Sequence, residues 1–110
     1  MPCYNKLRAG QTAQQREREV QESVDRLKEL LATGQAKIII GPEGGIAFQG
    51  WTDRRDISDL CAYHRLLAEG CAELTRSIIM AETQQGRKVS AAAIAGGLHS
   101  HDEGQTWSRE

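Results

Sequence analysis

Aromatic residues are scarce in this chain: 110 residues carry one Phe, two Trp and two Tyr. So few rings do not furnish a platform on which nucleobases stack. A surplus of charge of one sign is missing too. Fourteen Lys and Arg stand against fifteen Asp and Glu, a formal net charge of −1. That balance gives no electrostatic footprint for a nucleic acid or an anionic membrane. Long apolar runs are lacking, and none approaches the roughly 20 residues of a membrane span. The opening Met1-Pro2-Cys3-Tyr4 has no apolar stretch of the kind a secretory signal carries. Cysteines are few and odd in number, Cys3, Cys61 and Cys71, without the spacing of a disulfide framework. These absences point to a reduced, cytoplasmic protein with no membrane segment. A chain this short fits one domain with a modest core, so oligomerisation is a natural way to gain burial.

What the chain does have is helical periodicity. From Ile57 the apolar or semi-apolar positions are Ile57, Leu60, His64, Leu67, Cys71, Leu74, Ile78 and Ala81. The steps alternate three and four, which makes one stripe down a helix. The pattern predicts one long helix, capped by Asp56, reaching Gln84 or Gln85 and ended by Gly86. Gly70 falls in its middle, as a tolerated residue or a slight bend. Upstream, Thr12-x-x-Gln15 fits a capping box. It opens a helix from about 13 to 33, with Val20, Val24, Leu27 and Leu31 as its stripe, Leu30 beside them and Gly34 as its stop. Residues 14–19 show no apolar face and should project into solvent or meet a partner.

Between the helices the period changes. Residues 36–40 are β-branched, 41–45 carry turn chemistry, and 46–51 are extended again, which reads as a β-hairpin. Ser90 can cap a short third helix over 91–95, closed by Gly96-Gly97. The fold class is α+β and helix-dominated. Two long antiparallel helices flank an intervening β-hairpin, followed by a short third helix and a tail that can form a C-terminal hairpin. Residues 1–11 form an arm, 12–97 one domain and 98–110 the tail.

The tail reads Ser100-His101-Asp102-Glu103-Gly104-Gln105-Thr106-Trp107. It resembles the Asp-box, Ser-x-Asp-x-Gly-x-Thr-Trp, found on blade hairpins of sialidases and related propellers. There the box is a structural turn. The resemblance implies that Asp102 accepts backbone N–H bonds, Gly104 supplies an unusual backbone angle and Trp107 packs beneath. It spans eight residues and implies no sialidase activity, because the chain is far too short for a propeller.

Four residues have metal-ligand chemistry: Cys61 and His64, one turn apart, and His99 and His101, alternating in the tail. The spacing is not that of a standard zinc site, and His64 stands on the core stripe. Cys61 or Cys71 near His64 would suit nucleophilic chemistry, but both lie on or beside a buried stripe, where a cysteine is an inert hydrophobe. Asp56/Asp59 and Asp102/Glu103 are explained by capping and turn formation. The 41–45 run lacks the Gly-Lys-Ser/Thr ending of a phosphate loop. Arg54, Arg55, Arg87 and Lys88 are the basic pairs that could touch phosphate, as could Lys6 and Arg8 in the arm.

No converging catalytic set emerges and no cofactor is implied. The expectation is a non-enzymatic protein-binding module working as a homo-dimer. Val24, Leu27, Leu31, Leu60, Leu67, Leu74 and Ile78 would form its core or oligomer seam. The alternatives are a nucleic-acid-associated accessory protein and a small zinc-binding protein. In length, charged helices and compact hairpin the chain also resembles small orphan accessory proteins of temperate phages. That resemblance implies an inhibitor or adaptor of a host protein complex.

Overall fold

The computed structural model describes residues 7, 9–51, 57–96, 98, 100 and 102–109, with side chains described except at 57–60 and 95–96. Helix α1 spans Ala13–Thr33, strand β1 Lys37–Ile40, strand β2 Ile46–Gln49, helix α2 Ile57–Glu69, helix α3 Ala72–Gln85 and helix α4 Ala91–Gly96. The fold is α+β and helix-dominated, with one antiparallel hairpin. Among the described residues no helix is long and apolar enough to cross a membrane. The arm's residues 1–6 and 8 and the cap Asp56 lie outside the described residues.

Helix α1 starts where its capping box stands. Thr12 Oγ1 accepts the Gln15 N–H at 3.1 Å, and Gln15 Oε1 accepts the Thr12 N–H at 2.9 Å. Two orphan donors of the first turn are thereby satisfied. Gly34, at φ 77°, ends the helix in the left-handed region. Val20, Val24, Leu27 and Leu31 are buried as one stripe. The segment 14–19 departs from expectation. Arg16 is buried, and Glu17 pairs with Arg65 of α2 through two bonds of 2.7 and 2.9 Å. One side of this polar half is therefore covered by the chain's own second helix.

The expected single long helix is two. Gly70 takes φ +67°, and its N–H donates to Leu67 O while the Cys71 N–H donates to Leu66 O. Those bonds form a Schellman stop, which a glycine in the left-handed region permits. Nothing lies within 4 Å of where a Gly70 Cβ would stand. The glycine therefore serves the turn. The break resets the helical phase. Helix α2 buries Ala62, Tyr63 and Leu66, one position off the sequence stripe, while Leu67 and His64 are half-buried. Helix α3 keeps the expected phase with Leu74 and Ala81 buried and Ile78 half-buried.

The core lies inside one chain. Val24, Leu27, Leu31 and Leu74 are buried in it, and Leu67 and Ile78 pack against it. The side chain of Leu60 lies outside the described set. The ridges read as an oligomer seam thus face one another within a single chain.

The hairpin pairs Ile38 with Phe48 and Ile40 with Ile46. These four side chains point to the helices and are buried. Ile39 and Ala47 alternate to the opposite face. Trp107 covers that face near the turn. A Cβ on Gly41 would overlap the indole, and one on Gly45 would lie 2.9 Å from Trp107 Cζ3. Both glycines are required by this close approach.

The outer edge of β1 is closed by a side chain. Gln85 Oε1 accepts the Ile40 N–H at 3.0 Å, and Gln85 Nε2 donates to Ile38 O at 2.9 Å. A single amide makes the two bonds that a neighbouring strand would make, which protects the edge from foreign pairing. Replacing Gln85 by Ala is expected to cost about 1–3 kcal/mol for the two bonds. Urea denaturation reads that loss, and hydrogen exchange at the Ile40 amide should accelerate with it. Unchanged exchange there would show that the amide does not guard the edge.

Candidate functional site

The last turn of α1, the start of β1 and one flank of α3 enclose an open groove of about 390 Å³. Its floor includes Leu31, Ile38 and Ala81, all buried members of the core. Met80 lines one wall and is 55% exposed. Lys37 and Arg76 stand on the rim, both exposed. The site follows from local folding. Gly34 turns the chain out of α1, and Ala36 N–H donates back to Leu30 O, which sets the start of β1 beside the helix end. Helix α3 then packs along β1 and forms the facing wall.

Glu73 also lines this groove. Its carboxylate accepts the Cys71 thiol at 3.2 Å. That hydrogen bond, with the backbone N–H of its own helical turn and the nearby Lys28 and Arg76, holds its carboxyl below the usual range. Glu73 therefore stays ionised and engaged at the α3 N-terminus, where the helix dipole favours it. With Lys37 and Arg76 it gives the groove two cations and one carboxylate. Met80 adds a flexible, polarisable wall of the kind used to grip varied apolar groups.

The sequence-predicted metal ligands do not gather into a site among the described residues. Cys61 and His64 share a face of α2, but the Cys61 sulfur accepts from the Arg16 guanidinium at 3.1 Å. Burial pushes the Cys61 thiol up, against the opposing pull of Arg16. The His64 ring packs 5.2 Å from Tyr63. His99 and His101 lie outside the described residues. Among those described, no three His, Cys, Asp or Glu are placed to hold a metal.

Of the phosphate candidates, Arg54 and Arg55 lie outside the described residues. Arg87 and Lys88 border an open hollow at the hairpin turn. Arg87 donates to Ile40 O at 3.3 Å, and the Glu43 carboxylate, paired with Arg109, lines the same hollow. A guanidinium bonded to backbone beside a carboxylate is a poor cradle for an anion.

The tail is a turn fixed to the hairpin. Among the described residues β1 and β2 are the strands, and Ser108 in the tail makes a single β-bridge. Asp102 accepts the Thr106 N–H at 2.8 Å, and the Ser100 and Thr106 hydroxyls donate to the same carboxylate. Gly104 takes φ +92°, and its N–H donates to Ser100 Oγ at 2.9 Å. The Trp107 indole N–H donates to Gly104 O at 3.1 Å. Glu103 reaches the Gly50 N–H and Arg109 reaches Glu43, so both ends of the hairpin are tied down.

The Ser100 hydroxyl, then the Thr106 hydroxyl and amide, hold the Asp102 carboxyl down at about 2. Because that value lies below the ordinary 3.8, the stabilisation is full above about pH 4 and is lost as pH falls through about 2. The indole N–H signal of Trp107 in proton NMR should hold its shift to pH 4 and move only as pH falls through about 2. A shift that moved between pH 5 and 7 would contradict this. No protein-family model, curated protein or solved structure matches the chain.

Proposed function

We propose that the protein is a non-enzymatic binding module that acts by occupying the surface of a partner protein. The groove beside Met80 is its contact site. The observation that carries this reading is an open groove with an apolar floor, walled by an exposed methionine. Lys37 and Arg76 on the rim suit a partner that inserts an apolar side chain flanked by carboxylates. Several ionisable groups have structural roles. Glu17 joins α1 to α2, Asp102 builds the tail turn and Glu73 sits in the first turn of α3.

The test places a photo-cross-linking amino acid at Met80, with Gln21 on the exposed side of α1 as the control. In the cells that produce the protein, the Met80 position should give one adduct of defined mass. Lys37→Glu should abolish that adduct, because it turns a rim cation into an anion. No adduct, or the same adducts from both positions, would overturn the reading.

A further inference from the structure

The outer edge of β1 is a row of backbone groups, most of them engaged. Ile38 C=O and Ile40 N–H meet the Gln85 amide, and Ile40 C=O accepts from Arg87. Ala36 N–H donates to Leu30 O. In an antiparallel strand the N–H and C=O of one residue share an edge, so Ile38 N–H lies on this one too. Lys37, the next residue along, turns its groups inward to Gln49 of β2. Ala36 C=O opposes the Lys37 N–H across one planar peptide and therefore points outward. Among the described residues neither Ile38 N–H nor Ala36 C=O has a hydrogen-bond partner. Both residues are more than nine-tenths buried. Backbone polar groups withheld from bulk water are costly when unpaired.

This pair faces the groove. Gln85 reaches the edge from α3, so α3 stands on that side of β1. The groove lies between the two, with Ala36 and Ile38 in its lining. Opposite them α3 presents Ser77 and Ala81, whose short side chains leave the space open. Its volume of about 390 Å³ is at the lower end for ligand sites, which suits a short stretch of peptide. Side chains of an added strand alternate in step with those of β1. Ile38 faces the helices, and Lys37 is exposed on the other face. A residue level with Lys37 thus sets its side chain beside that cation, and its two neighbours turn toward α3 and Met80. Two cations against one carboxylate leave the groove net positive, which favours an acidic segment.

We propose that the groove takes an extended segment of a partner protein that adds to the open step of β1. The segment donates one N–H to Ala36 C=O and accepts the Ile38 N–H. An acidic residue stands level with Lys37, and apolar residues on either side of it pack against Met80 and Ala81. This rests on the groove being the contact site and specifies what enters it. The Gln85 amide already fills the next step of the edge, so the added pairing is short.

NMR titration of the isotope-labelled full chain tests the proposal. The probe is a blocked pentapeptide with a central glutamate between two leucines and a threonine at each end. The Ile38 amide signal should move downfield as it gains an acceptor, and its hydrogen exchange should slow. Methylating the peptide's backbone nitrogens one at a time should abolish binding at one position, because one N–H serves Ala36. Lys37→Glu, its fold confirmed by circular dichroism, should weaken binding about fivefold or more and favour the same peptide with a central lysine. Binding that shifts the Met80 methyl signal yet leaves the Ile38 amide in place, or that tolerates methylation at every nitrogen, would overturn the strand pairing and leave the groove a side-chain pocket. So would a Met80 cross-link in cells without binding of this pentapeptide at millimolar concentration. Absence of both would overturn the groove reading and this proposal with it.

Discussion

Leu66→Asp should unfold the protein, while Leu67→Asp should leave it folded and weakened. Leu66 is fully buried, whereas its neighbour is half-buried at the margin of the same core. Truncating a buried leucine to alanine costs about 2–5 kcal/mol. A carboxylate at that position adds the penalty of burying a charge without a partner. The total stability of a domain is only about 5–15 kcal/mol, so the combined loss is of the same order as the whole. At position 67 the carboxylate can turn to water, and a loss of about 1–3 kcal/mol is expected. Thermal melts of the two variants check this. Equal losses, or a larger one at 67, would place the core face of α2 on the wrong stripe.

Phe48→Ala has the second large effect. Phe48 is 1% exposed and joins the hairpin to α2. Its ring stands edge-on to Trp51 at 4.9 Å and to Tyr63 at 5.5 Å. Removing a buried phenylalanine costs about 3–5 kcal/mol, and each edge-to-face pair adds about 0.5–1.5 kcal/mol. A two-stranded hairpin is marginal in water alone, so its stability depends on this contact with the helices. Urea denaturation should show the loss, with Trp51 emission moving to the red as its packed neighbour disappears. A loss below about 1 kcal/mol would mean that the hairpin is held elsewhere.

The sequence was most legible where several local signals agreed. For α1 the capping box, the Val20–Leu31 stripe and the Gly34 stop all mark the same helix, and its bounds match the expected 13 to 33. For the hairpin, Ile38–Ile40 and Ile46–Phe48 flank a turn rich in Gly and Pro. The break at Gly70 was hidden because the three–four stripe runs straight through it. A periodic pattern reports which residues want burial, not whether the backbone between them stays helical. Once Gly70 turns, α2 rotates freely relative to α3 and buries Leu66 in place of Leu67.

The groove was not legible for a different reason. Its lining comes from residues distant along the chain, Leu31 with Ile38 and Met80, and only the packed fold unites them. One signal was available. Met80 is a large apolar side chain that the Leu74–Ile78–Ala81 stripe does not use. The role of Gln85 had no such signal, because an amide at a helix end reveals nothing about the strand edge it will meet.

An isotope-filtered NOE experiment on a mixture of labelled and unlabelled chain bears most directly on where these apolar ridges are buried. Methyl contacts between Val24, Leu27 and Leu31 on one side and Leu66 and Leu74 on the other should all arise within one molecule. Intermolecular contacts among these same methyls would contradict that. They would show that the ridges meet across two chains, and that the faces assigned here to recognition are not the ones left open.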